Sequence, residues 1–321
     1  LNIQQFLIRA KNDDVTGYLE QAVIKELKVT YGNLITDQDT ILAEVLEKIY
    51  LHTEKQFIFL IDEWDCVMRE RQESEMMQKQ YLDFLRDLLK DQPYVALAYM
   101  TGILPIKKYG THSALNIFYE YSMTEPKELA EYTGFTEKEV QNLCEEYGMD
   151  FSEMQKWYDG YKLKNVNHMY NPKSVVDAML NAEFHSYWTS TETYEALKIY
   201  LDMNFDGLKD SIIEMLGNGR CKINYRKFQN DMTTFKSRDD VLTLLVQLGY
   251  LAYDEAAKEV FIPNMEICDE FENAIEGDGW DTIAKVLSAS DDLLNATLCA
   301  NADEVEKGSF GQKLVCKPSD S

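Results

Sequence analysis

The stretch FIFLIDEWDC, Phe57–Cys66, runs five apolar residues into Asp62 and Glu63, with Asp65 two positions further on. Adjacent carboxylates at the end of an apolar run suit two tasks. One can hold a hard cation such as Mg through water, and the other can accept a proton from an attacking water. Asp62 is placed for the first task and Glu63 for the second. Apolar strands also end in acidic residues simply because the chain is surfacing, so this run alone is a weak motif. A second apolar segment, YVALAYM (Tyr94–Met100), ends in Thr101-Gly102 and supplies a polar residue at the equivalent point.

The elements that must position these groups read as alternating strands and helices. Phe57–Ile61 is short, apolar and without helical period, which suits a strand buried on both faces. Tyr94–Met100 reads as a second buried strand, and Leu1–Phe6 as a short strand or its tail. Apolar residues recur at three- and four-residue steps in VTGYLEQAVIKELKVTYG, in TDQDTILAEVLEKIY (Ile41, Leu42, Val45, Leu46, Ile49) and in QKQYLDFLRDLLK (Tyr81, Leu82, Leu85, Leu88, Leu89). These predict helices. The alternation predicts an α/β fold with a parallel sheet covered by helices, where ligands bind beyond the carboxyl ends of the strands. An apolar strand ending in Asp-Glu there follows the logic of the Walker B element of P-loop ATPases, in which Mg bridges the β- and γ-phosphates. Thr101 stands where such enzymes place a γ-phosphate sensor.

Beyond Pro126 the pattern changes. Thr136 to Glu139 reads as a T-x-x-E capping box opening a helix, and Asn171-Pro172 turn into another. Trp157, Tyr158 and Tyr161 in WYDGYKL are expected to pack a lid helix and its turn rather than to stack bases. From about Lys222 the signals suit a small winged-helix unit: INYRKF as a strand, SRDDVLTLLVQLGYL as a capped helix, GYLAYDEAAKEVFIPN as the wing hairpin and MEICDEFENAI as a last helix. The organisation expected is a parallel-sheet core over 1–123, a helical region over 124–204, a winged-helix subdomain over 205–278, and a linker and unstructured tail over 279–321.

Composition narrows the partners. The 321 residues carry a net charge of −24 and are 45% hydrophobic. A sizeable core can form, while such a surface repels phosphate backbones and anionic membranes. Nucleic acid is therefore an unfavoured partner. A winged-helix DNA-binding regulator would use Arg226 and Lys227, yet its recognition-type helix opens with Asp239-Asp240, the wrong sign for phosphates. The six cysteines are scattered, without a C-x-x-C pair, which reads as reduced thiols in a cytoplasmic protein rather than a disulfide frame or zinc site. No apolar run approaches the roughly 18–20 residues of a membrane helix.

FIFLIDEWDCVMRE, YLDFLRDLLKDQPYVALAYMTGILPIKKYGTHSALN, EYTGFTEKEV, WYDGYKL, YNPKSVV and DDVLTLLVQLGYLAYD, taken together, resemble the bacterial AAA-ATPase-like family, whose members are often followed by a PD-(D/E)XK nuclease-like domain. The resemblance runs over about residues 1–290. It implies a P-loop ATPase core, a lid and a winged-helix region, with ATP and Mg as ligands. It gives Asp62 the Mg role, Glu63 the base role and Thr101 the sensor role.

One part of the family pattern is not in this sequence. The phosphate-gripping loop G-x-x-x-x-G-K-[ST] does not occur; GSFGQK (Gly308–Lys313) has the wrong spacing and no Ser or Thr after the Lys. The loop is expected upstream of Leu1, with LNIQQF ending a second strand, and its removal is expected to leave Tyr94–Met100 with an open apolar edge. Weak or no ATPase activity is expected from these residues alone. The alternative from another class is a non-catalytic protein-interaction module that keeps the fold. Arg69 and Arg71 are expected to pair with Glu70, Glu73 or Glu75 on a solvated helix, with an arginine finger as the sharper reading. Lys107, Lys108, His112, Ser113 and Asn116 form a polar loop facing nucleotide or a partner domain, or simply connecting.

Overall fold

A computed structural model describes residues 1–10, 14–71, 74–104, 117–188, 207–225 and 235–275, with positions 197, 200, 201, 205 and 228 between them. The chain divides into two compact units, Leu1–Met123 with Asn224–Leu248, and Thr124–Ile223 with Gly249–Ser321. The class is α/β, and the described residues form one small parallel sheet and two antiparallel ones.

In the first unit the elements are α1 (Ile3–Arg9), α2 (Val15–Tyr31), α3 (Leu42–Thr53), β1 (Phe57–Ile61), α4 (Cys66–Glu70), α5 (Glu75–Leu89) and β2 (Val95–Met100). The helical stripes read from spacing are the buried ones. Leu42, Val45, Leu46 and Ile49 of α3 pack with Tyr81, Leu82, Leu85, Leu88 and Leu89 of α5 in one core. Each such aliphatic side chain contributes about 1.5–3 kcal/mol when removed from water. The first backbone N–H of α3, on Leu42, donates to Glu20 Oε1 of α2 at 3.0 Å, so a neighbouring helix satisfies a donor that the helix cannot.

β1 and β2 pair in parallel, Phe59 opposite Ala98 and Ile61 opposite Met100. Phe59 and Ile61 enter the helical core. The other face does not match the expectation of strands buried on both sides. Ile58 and Leu60 are 65% and 61% exposed, Leu97 and Tyr99 54% and 52%. Strand side chains alternate, and among the described residues nothing covers the outward set. β2 pairs with β1 alone, again among the described residues.

The short strand or strand tail expected over Leu1–Phe6 does not form: Ile3–Phe6 are the start of helix α1, and only an isolated bridge at Asn2 remains. The Leu1 amino group donates to Leu60 O at 2.6 Å and Asp62 N–H to Leu1 O at 2.7 Å, giving a single parallel bridge between Asn2 and Asp62. Asn2 then caps α1 by accepting from Gln5 N–H. A capping asparagine ends the extended run at its second residue.

The same unit holds the helix Arg238–Gln247. Ser237 caps it by accepting Asp240 N–H, and Asp240, itself buried, accepts from Ser237 Oγ and Lys236 N–H, while Asp239 accepts from Asn224 N–H. Of the strand expected over INYRKF, Ile223–Tyr225 are not strand, and Arg226 and Lys227 lie outside the described residues; a strand forms at Cys221–Lys222, and the hairpin Ala252–Asp254 with Glu259–Phe261 forms as read. Those strands belong to the second unit.

That unit contains β3 (Phe135–Thr136), α6 (Glu137–Tyr147), α7 (Phe151–Tyr158), β4 (Tyr161–Leu163), β5 (Val166–Tyr170), α8 (Pro172–Asn181) and the helices Leu208–Leu216 and Met265–Ile275. The Thr136–Glu139 capping box is present, and Asn171 caps α8 with Pro172 in its first turn. Tyr158 and Tyr161 are buried, and Trp157 packs on the core around Tyr158. Gly160 has φ +117, and a Cβ there would lie 2.0 Å from Pro263 O, so only glycine permits that approach.

Asp159, Glu266 and Glu270 are buried in the second unit. Glu266 accepts from Ser174 Oγ at 2.8 Å and from the N–H groups of Tyr187 and Trp188 at 2.8 and 3.1 Å. Burial nonetheless holds its carboxyl above the usual range of about 4.5. One turn on, burial raises Glu270 too. Asp159, at the end of α7, meets His168 Nδ1 at 2.6 Å, and this contact raises His168 above 6.5, with Glu137 reinforcing and Lys162 opposing. Both shifts act in one direction with pH. A carboxyl that holds its proton more tightly when folded contributes most in acid and less as pH climbs above about 4.5. A histidine raised by its partner stabilises fully below 6.5 and loses that contribution as pH rises through its folded value. Stability should therefore fall as pH rises above 4.5, and further as it rises above 6.5, as read by denaturant midpoints. Glu266→Gln, which keeps the acceptor oxygen, should flatten the lower part of that slope, and His168→Gln the upper part. Glu266→Ala should cost about 1–3 kcal/mol, because it orphans buried donors.

Candidate functional site at the ends of the parallel strands

The parallel register brings two of the expected residues into contact. Thr101 Oγ1 donates to Asp62 Oδ1 at 2.6 Å, and the same oxygen accepts Glu63 N–H at 3.1 Å. The other oxygen of Asp62 accepts from Asn2 Nδ2 at 3.3 Å. The backbone continues the match, with Thr101 N–H donating to Ile61 O and Trp64 N–H to Thr101 O. Asp62 and Thr101 are both exposed. A carboxylate and a hydroxyl at adjoining strand ends form a hard-oxygen donor set, the kind that suits Mg through water. Among the described residues no group of three or more His, Cys, Asp or Glu is placed to hold a metal directly.

Glu63 lies beside this pair rather than in it. Its backbone is left-handed, φ 54, an uncommon conformation for a residue with a side chain. Its carboxylate is paired with Arg69 Nη2. Arg69 also donates through Nε to Asp65 Oδ2 at 3.1 Å. Asp65 is fully buried, and the same oxygen accepts the N–H groups of Ile103 and Leu104 at 3.2 and 2.8 Å. The third carboxylate of DEWD thus ties the turn after β1 to the loop after β2.

Sequence reasoning had placed Arg69 with Glu70, Glu73 or Glu75, or on a phosphate. The structure pairs it with Glu63 and Asp65 instead, and Arg71 donates to Glu70 O. The signal was available: Asp65 and Arg69 stand four apart, the spacing at which helical neighbours meet. Nothing local announced that Asp65 would be buried, because its burial depends on the loop after β2. Glu73, Lys107, Lys108, His112, Ser113, Asn116, Arg226, Lys227 and the GSFGQK tail lie outside the described residues.

Residues 6–112 match the AAA-ATPase-like family model, described as a predicted AAA-ATPase. This AAA-ATPase-like segment contains β1, β2, Asp62, Glu63, Asp65, Arg69 and Thr101. EYTGFTEKEV, WYDGYKL, YNPKSVV and DDVLTLLVQLGYLAYD lie beyond it, so the match is narrower than the resemblance read from the sequence. No curated protein and no solved structure matches the chain. No described helix is long and apolar enough to cross a membrane.

Within the AAA-ATPase-like segment Gly102 makes the close contact between the two strand ends. A Cβ there would stand 2.5 Å from Asp65 Oδ1 and 2.6 Å from the Trp64 indole. Gly102→Ala should therefore destabilise the chain by about 1–3 kcal/mol and change the emission of Trp64, both measured in one urea titration. The same titration should leave a substitution at the exposed Leu51 within about 0.5 kcal/mol of the parent.

Proposed function

We propose that the chain carries the carboxylate half of a Mg-ATP-handling site, as part of a P-loop-type ATPase module with lid and winged-helix regions. The observation that carries this reading is the Thr101–Asp62 hydrogen bond at the carboxyl ends of two parallel strands, 2.6 Å long. The match of residues 6–112 to a predicted AAA-ATPase family supports it. In this reading Asp62 holds Mg through water, Glu63 orients or deprotonates the attacking water, and Thr101 senses the γ-phosphate. Bound Mg-ATP would supply the transferable phosphoryl group and the charge that the metal neutralises. This sequence contains no G-x-x-x-x-G-K-[ST] run, so most of the phosphate grip has to come from elsewhere and these residues alone should turn over little or no ATP.

A non-catalytic interaction module is the second reading. The apolar sheet face of Ile58, Leu60, Leu97 and Tyr99 favours it. Glu63→Gln separates the two in a chain that binds Mg-ATP. A general base contributes about 10²–10⁴-fold, so the ATPase reading expects turnover to fall by that factor while Mg-ATP affinity changes only a few-fold. Unchanged turnover in the variant would remove Glu63 from the chemistry.

A further inference from the structure

We infer that Arg69 is the positioning residue for Glu63, and that the buried Asp65 is the anchor that lets it act. The inference rests on the ATPase reading for its purpose, but its geometry stands without it. Arg69 uses two different nitrogens, Nη2 on Glu63 and Nε on Asp65. A planar guanidinium held at one edge presents its other donors in a fixed direction. Asp65 is held in turn by the N–H groups of Ile103 and Leu104. Its Oδ1 is buried close to Gly102, where an added Cβ would stand 2.5 Å from it. The sequence of contacts therefore runs from the loop after β2, through Asp65 and Arg69, to the carboxylate of Glu63.

Two features make this more than a surface ion pair. Glu63 sits on a left-handed backbone, uncommon for a residue with a side chain, and its carboxylate is paired with Arg69. One end of the bridge is fully buried while the other is partly exposed, at 0% for the Asp65 side chain and 32% for Glu63. A pair anchored in the interior loses less side-chain entropy on forming than one free at both ends, the main reason exposed pairs contribute so little. A consequence is that displacement of the loop after β2, which begins at the Thr101 sensor position, moves Asp65 and with it Glu63.

The first test needs only this chain. Glu63→Gln, Arg69→Gln and the double variant form a cycle read by urea unfolding, repeated with Asp65→Asn present. The expected result is clear non-additivity for Glu63 and Arg69 that is lost when Asp65 is replaced. Arg69→Lys, which keeps the charge but not the two-ended reach, should retain less than half of the coupling and guards against an unfolded Asp65 variant. Additive effects of Glu63 and Arg69, or coupling untouched in both the Asp65→Asn and the Arg69→Lys backgrounds, would overturn the inference. The second test uses a chain that hydrolyses ATP. Arg69→Gln should lower kcat on the order of 10²-fold with KM within about threefold, as misplacement of a reacting group does, and should add no further loss in the Glu63→Gln background. A further loss there would mean that Arg69 acts on its own. If Glu63→Gln has no effect on kcat, Glu63 is not the base and the purpose assigned to Arg69 fails with it, whereas the coupling measured by unfolding stands or falls separately.

Discussion

Parallel pairing of β1 with β2 in one register is the constraint on which the site depends. Ile61 lies opposite Met100, so the next residues, Asp62 and Thr101, emerge side by side and make their hydrogen bond. Because strand side chains alternate, a slip by one residue would turn Phe59 and Ile61 out of the core and separate Asp62 from Thr101. Burial of Phe59 and Ile61 against α3 and α5 therefore does more than stabilise: it determines which polar groups meet at the strand ends. The second lock is Asp65, which joins the turn after β1 to the loop after β2 through two backbone amides.

The parts of the fold governed by local physics were legible in the sequence. The stripes of α3 and α5 follow a helical period, the Thr136–Glu139 box and the Asn171-Pro172 start are local hydrogen-bond patterns, and the hairpin before Met265 is bounded by polar turn residues. The departures all depend on distant partners. FIFLI reads as buried on both faces because Ile58 and Leu60 are as apolar as Phe59 and Ile61, and hydrophobicity alone does not reveal which face receives helices. Ile223–Tyr225 of INYRKF are not strand, and the strand that forms is Cys221–Lys222, whose pairing with Val260 and Glu259 is set by the hairpin. At the site, Asp62, Glu63 and Thr101 were visible as residues ending apolar runs. Asp65 and Arg69 gained their importance from Ile103 and Leu104, nearly forty positions away.

Both units bury carboxylates, Asp65 and Asp240 in the first and Asp159, Glu266 and Glu270 in the second. At the strand ends of the first, exposed carboxylates are met by a hydroxyl, an amide side chain and one guanidinium, leaving Asp62 accessible. In the second, Glu266 and Glu270 are taken into the interior and satisfied by hydroxyl and backbone donors. Burial raises both carboxyls, and a carboxyl that holds its proton more tightly when folded makes stability depend on pH. The outward face of the parallel sheet is the counterpart in apolar terms. Parallel sheets are ordinarily covered on both sides, and here one side presents Ile58, Leu60, Leu97 and Tyr99 to solvent.

We propose Asp62 and Thr101 as half of a nucleotide site; the phosphate-gripping run G-x-x-x-x-G-K-[ST] does not occur in this sequence. Calorimetry with Mg-ATP addresses this proposal most directly, on this chain and on one extended upstream through any in-frame phosphate loop, each with and without Asp62→Ala. The account predicts binding by the extended chain, weakened by the substitution, and little or none by the present one. A folded extended chain that contains the loop and still binds no nucleotide, or binds it equally well without the Asp62 carboxylate, would contradict the account.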